Sequence, residues 1–182
     1  MEDDKKFKAN GILWSSCKEY YREILLELSK KSKIEQIVIY NLKKNYADFI
    51  IECYQHDEDV MSDGYINEKI DRLLKDDNTT IVAFTIVIED AIYKYDRKDN
   101  LQCVQARNIK ELLRKEYSKK VENYFLDNII HLADNPQESE ILKKVFNKYQ
   151  KYAIKGYLLE GCNPSYAIEL YNEKGGSNLD YR

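Results

Sequence analysis

Apolar positions along the chain fall into two periods, and each period marks out an element. Gly11-Ile12-Leu13-Trp14 is a short apolar run that predicts a strand. Cys17, Tyr21, Ile24, Leu25 and Leu28 then recur at helical spacing. Ser16 and Glu19 have the spacing of a capping box, which starts this helix, and it ends near Lys31-Ser32. Ile34 to Leu42, centred on Ile37-Val38-Ile39-Tyr40, predicts a β-branched strand, and Tyr46 to Tyr54 a helix. Ile66 to Lys75 is a further short helix. Thr79 to Glu89 is almost continuously apolar, the mark of a central strand covered on both faces.

Beyond residue 90 the pattern shortens. The stretches Ile-Tyr-Lys-Tyr and Leu-Gln-Cys-Val flank Arg97-Lys98-Asp99-Asn100 and predict a hairpin with a charged tip. Ala106 to Lys119 reads as a helix with Ile109, Leu112, Leu113 and Tyr117 on one face. Asn128 to His131 is a short strand. Asn135-Pro136-Gln137-Glu138 is a helix start, with Asn as cap and Pro at the first position. Ile141, Leu142, Val145, Phe146 and Tyr149 supply that helix's buried face. A turn or two of helix is expected near Tyr152 to Leu159, with one more starting at Asn163-Pro164.

This order gives a polar lead over 1–10, one domain over 11–150, and a C-terminal helical extension with a polar tail over 151–182. The fold class it predicts is α+β. An antiparallel sheet covered by helices, ferredoxin-like, is the simplest arrangement of these elements.

Composition narrows the function classes. With 43% hydrophobic and 34% charged residues, and only 6 Gly and 2 Pro in 182, the chain is globular with little linker. A net charge of -3 supplies no field for duplex nucleic acid. The lysine pairs are scattered among acidic residues and read as solvated faces. The first residues lack the apolar stretch of a signal peptide, and no apolar run spans a bilayer. Cys17, Cys53, Cys103 and Cys162 lack the paired spacing of a zinc site, and three of them lie in apolar-periodic segments, which reads as buried thiols. A cytoplasmic protein without a membrane partner is the expectation. The acidic stretch from Asp57 to Gly64 lacks the ligand spacing of a calcium loop, so no protein-held metal is predicted.

The chain has two histidines, of which one carries the candidate chemistry. His56 enters the acidic stretch and reads as a surface residue. His131 ends a strand and precedes a well-capped helix, where free amides and the helix dipole favour phosphate oxygens. A neutral imidazole in such a place is a nucleophile.

The residues Asn128-Ile129-Ile130-His131-Leu132-Ala133-Asp134-Asn135-Pro136-Gln137-Glu138-Ser139 resemble the signature segment of nucleoside diphosphate kinases. The wider order of elements is also similar to that family over residues 11 to 150. The resemblance implies a nucleoside diphosphate kinase-like fold in which His131 carries a phosphoryl group between nucleotides, with Mg²⁺ bridging the nucleotide phosphates. It implies nucleotide-binding roles for Asn128, at the sugar, and for Lys110 and Arg114, the nearest counterparts of the family's phosphate-gripping arginines. Assemblies of identical copies are common in the family.

The chain departs from the family pattern at three places. Trp14-Ser15-Ser16-Cys17 replaces a Lys-Pro-Asp-Gly turn whose Lys contacts phosphate. Leu132-Ala133 replaces Gly-Ser. The Glu that orients the imidazole falls at Leu142, leaving Glu140 as a loose substitute. Two functions follow: a divergent phosphotransferase acting through His131 on a nucleotide or other phosphorylated small molecule, or a non-catalytic nucleotide-binding or protein-interaction module on the same fold.

Overall fold

The computed structural model describes residues 6–158 other than 63, 76, 123 and 126. The near-continuous apolar run becomes β3 (Thr80–Ile88), the middle of the main sheet. Its neighbours are β1 (Phe7–Leu13) and β2 (Lys33–Asn41), both antiparallel to it. Outside them lie β6 (Ile130–Leu132) on β1 and β7 (Ala153–Leu158) on β2, which gives the order β6-β1-β3-β2-β7. A separate hairpin joins β4 (Tyr93–Tyr95) to β5 (Leu101–Cys103).

Helices cover both faces. On one face α1 (Tyr21–Lys31) and α5 (Val104–Tyr117) pack Ile24, Leu28, Ile109 and Leu113 onto Leu13, Phe84 and Ile86. On the other, α2 (Tyr46–Tyr54), α4 (Tyr65–Leu74) and α6 (Pro136–Lys148) pack Phe49, Ile50, Leu73 and Leu142 onto Ile12, Trp14 and Ala83. Burial on both faces explains why β3 reads as an uninterrupted apolar run. Between α2 and α4, Asp57 caps the single-turn α3 (Glu58–Met61) within the acidic stretch by accepting from the backbone amides of Asp59 and Val60.

Four local expectations are corrected. The first strand starts at Phe7, ahead of the 11–14 run. Phe7 and Ala9 are core residues, and Asn10 is buried by hydrogen bonds to Ser139 and Thr85. Ser16 and Glu19 form no capping box: Ser15–Tyr20 is a 3-10 turn kinked at Cys17, and α1 begins only at Tyr21. The Ser16 hydroxyl instead donates to the Asn128 carbonyl. Leu112 is exposed, and Ala106 joins the buried stripe of α5 in its place.

The fourth correction concerns the helical extension. The helix expected near Tyr152–Leu159 is replaced by a short turn, Gln150–Tyr152, and then β7. This strand pairs with β2 from Tyr40↔Ala153 to Gln36↔Leu158. Free ladder groups along β2 decide the conformation of a segment whose own propensity is mixed. The helix start expected at Asn163-Pro164 lies outside the described residues.

Gly11 is required by a close approach. A Cβ there would stand 2.4 Å from Phe84 Cζ and 2.9 Å from the carbonyl oxygen of His131. The glycine lets β1 carry β6 on one side while Phe84 crosses its face.

Candidate active site

His131 lies opposite Ile12 in the β1–β6 ladder, so its side chain faces the α2–α4–α6 layer. It is 5% exposed. Its ring meets Tyr54 of α2 edge-on, with centroids 4.8 Å apart. Its Nε2 lies 3.2 Å from Oε1 of Glu138. The approach stops short of a formed hydrogen bond.

Glu138 is held from two directions. Its Oε2 accepts from the Asp134 amide at 3.1 Å, and its own amide donates to the Asn135 cap at 2.8 Å. Burial pushes the Glu138 carboxyl up, but His131, Lys110 and the Asp134 amide outweigh burial and hold it below the ordinary carboxylate range. Burial pushes His131 down; Glu138 pulls it back up, and Lys110 and Arg114 oppose that pull. We take the neutral imidazole beside an ionised carboxylate as the state at neutral pH. Burial disfavours the imidazolium, whereas the carboxylate has donors around it.

Lys110 and Arg114 lie one turn apart on α5 and both reach the His131 segment. Lys110 Nζ is 2.9 Å from Asp134 Oδ2. Arg114 donates from Nε and Nη2 to the carbonyl of Ile130, both at 3.1 Å, and its Nη1 is 2.6 Å from Asp127 Oδ1. Both line an open cleft of about 880 Å³ between α5 and the β4–β5 hairpin, together with Tyr95, Arg97 and Arg107. Asn128 is buried at the entry to β6, and its side-chain oxygen accepts from the Phe125 amide.

Behind Tyr54 the site continues into a group that the motif reading missed. Trp14, at the end of β1, stacks on Tyr54 with centroids 6.1 Å apart. Lys69 extends from α4 to place Nζ 5.3 Å from the Trp14 ring centroid and 4.9 Å from that of Tyr54. It is fully buried and donates to the Asp127 carbonyl at 2.9 Å. Burial lowers its pKa to about 7, against the opposing pull of Asp127. Its signal in the sequence is positional: Ile66, Lys69 and Leu73 share the buried stripe of α4.

Glu138 was also missed as the partner of His131. It carries the contact expected of a residue at 142, where Leu142 is core, or of Glu140. Its place in the first turn of α6 looked sufficiently explained by the helix start.

An antiparallel sheet with helices on both faces, and a histidine strand laid against the first strand, is a nucleoside diphosphate kinase-like α+β fold. The solved nucleoside diphosphate kinase of Aquifex aeolicus, in an orthorhombic crystal form, matches this chain with a TM-score of 0.51 at 12% identity. The match covers 78% of this chain and 94% of the Aquifex chain. No family model matches the sequence, and no curated protein does. At that identity the likeness establishes the fold, and any chemistry must be argued from the side chains. No helix among the described residues is long and apolar enough to cross a membrane.

Proposed function

We propose that this chain is a divergent phosphotransferase in which His131 accepts a phosphoryl group from a nucleotide or another phosphorylated small molecule. The observation that carries this reading is the approach of Glu138 to Nε2 of a neutral His131. A carboxylate 3.2 Å from Nε2 favours the tautomer with the proton on that nitrogen and leaves the Nδ1 lone pair for attack. The Nδ1–phosphorus bond forms as the bond from the γ-phosphorus to its bridging oxygen breaks. The electron pair leaves with the diphosphate, and the Nε2 proton stays beside Glu138. Transfer to an acceptor runs the same steps in reverse.

Lys110 and Arg114 are the phosphate-facing cations of this reading, and Asn128 is its contact to the sugar. The carboxylates nearest the cations, Asp134 and Asp127, are engaged with Lys110 and Arg114. No three His, Cys, Asp or Glu groups among the described residues come together to hold a metal. The donor set does not fit a resident ion, and Mg²⁺ belongs to this reading only as a counter-ion brought by the nucleotide phosphates.

A second reading, a non-catalytic nucleotide-binding or interaction module, is favoured by the neutralisation of both cations within the chain and by the burial of His131. One experiment separates the two. Purified protein is incubated with γ-³²P-ATP and Mg²⁺, and acid-labile, alkali-stable label is measured in wild type and in His131→Ala. Label on wild type alone supports transfer. Absence of label from a folded wild type removes it and leaves the binding module.

A further inference from the structure

Among the described residues, three buried side-chain polar atoms have no hydrogen-bond partner: Trp14 Nε1, Tyr54 Oη and His131 Nε2. They belong to three rings in direct succession, Trp14 on Tyr54 and Tyr54 on His131. A buried donor left unmet costs about 1–3 kcal/mol. In a native fold such atoms are few, and each calls for an explanation. His131 Nε2 faces the Glu138 carboxylate at 3.2 Å; the other two atoms, on stacked rings beside Lys69, point to a common missing partner.

The chemistry of that partner follows from what surrounds the atoms. An indole N–H only donates, and a phenol buried here stays protonated, because burial raises the Tyr54 pKa well above its ordinary value. The Lys69 nitrogen lies over the Trp14 and Tyr54 rings while bonded to the Asp127 carbonyl. Glu138 approaches the group only at the histidine ring. The cluster is rich in donors and suited to several acceptor oxygens on one small body, which describes a tetrahedral oxyanion.

We propose that Trp14 and Lys69 form an oxyanion pocket for the phosphoryl group exchanged at His131, the indole N–H donating to a phosphoryl oxygen and the ammonium supplying charge. This deepens the phosphotransferase reading and rests on it for the identity of the oxyanion. Trp14 ends the strand that pairs with the histidine strand, so backbone hydrogen bonds fix its relation to His131. Lys69 approaches from a different element, α4, so the charge reaches the site without a basic residue on β1. The competing explanation is ordered water, which would satisfy the same atoms with neutral partners.

Trp14 is the sole tryptophan of the chain, so its indole N–H gives a single side-chain cross-peak in a ¹H–¹⁵N spectrum. Titrating inorganic phosphate into the 182-residue chain should move that peak to saturation, with chloride at equal ionic strength as control. Lys69→Met should weaken the apparent affinity at least tenfold. Trp14→Phe, which keeps an aromatic ring and removes the donor, should slow phosphohistidine formation roughly tenfold while the far-UV circular dichroism spectrum is unchanged. A peak that phosphate leaves unmoved, with a cross-relaxation signal to bound water, overturns the pocket. Label on His131 together with an unmoved indole peak overturns the pocket and leaves phosphoryl transfer standing. An indole peak that phosphate shifts in a protein that never takes label supports the pocket and removes the transfer.

Discussion

Glu138 Oε1 stands 3.2 Å from His131 Nε2, seven positions along the chain and across the gap between a strand and the helix that follows it. The same carboxylate also receives the Asp134 amide through its other oxygen. Its position is therefore set by the backbone turn that links β6 to α6, and the imidazole meets a fixed acceptor.

Replacing that acceptor tests its role directly. Glu138→Gln keeps the shape and removes the charge, so Nε2 no longer has a carboxylate to hold its proton. Partners that orient a histidine typically control ten- to hundred-fold effects, and label transfer to His131 should slow by roughly that factor. An unchanged initial rate of labelling would reduce Glu138 to a helix-start residue.

Arg114 joins α5 to the histidine strand through its fork. Arg114→Lys keeps one charge but cannot serve the Ile130 carbonyl and Asp127 together. We expect a loss of about 1–3 kcal/mol in urea unfolding, since a buried acceptor loses its donor. We also expect weaker ATP binding by isothermal titration calorimetry. Equal midpoints for the two proteins would show that the fork contributes little.

Gly11→Ala should be destabilising although it adds one methyl group. The new Cβ would collide with Phe84 and with the His131 carbonyl. Overpacking of this kind costs about 1–3 kcal/mol. One neighbour is backbone, so relief requires β6 to move away from β1. Chemical shifts of residues 130–132 should report that displacement, whereas a local repacking of Phe84 would leave them in place.

Lys69 gives a pH-dependent signature. Its pKa is about 7 in the folded protein, and the ordinary value of 10.5 applies when the chain is unfolded. Between these values the unfolded chain binds more protons, so stability rises with pH. Measured against Lys69→Met, which cannot titrate, the wild type should gain relative stability from pH 7 to pH 9. The slope should not exceed about 1.4 kcal/mol per pH unit. A difference that stays flat over that range would mean that the amine remains charged in the fold.

Some of this site was legible in the sequence because its signals are local. His131 and the cap at Asn135 lie in one short segment, and Lys110 and Arg114 share a side of one helix. Glu138 was hidden by a sufficient local explanation, since an acidic residue in the first turn of a helix needs no further partner. Lys69 stands at a buried spacing in α4, but a lysine there is ordinarily taken for a solvated flank until the fold brings Trp14 and Tyr54 over it. In the fold itself, β3 was plain because both its faces are covered. The strand at Ala153–Leu158 was not, because its conformation is decided by an edge of β2 distant in sequence.

The sheet order also dictates when the protein can become whole during synthesis. The central strands β1, β3 and β2 all lie before residue 89, whereas the outer strands come from 130–132 and 153–158. A nascent chain that has emerged only through β3 can build the centre and leaves both rims bare, the condition in which strand edges recruit foreign chains. The histidine strand closes one rim by joining residues 11–13 to 130–132, a separation that slows folding. The strand bearing His131 is therefore assembled late, onto a scaffold that must stay unpaired at its edges until the ribosome has delivered most of the chain.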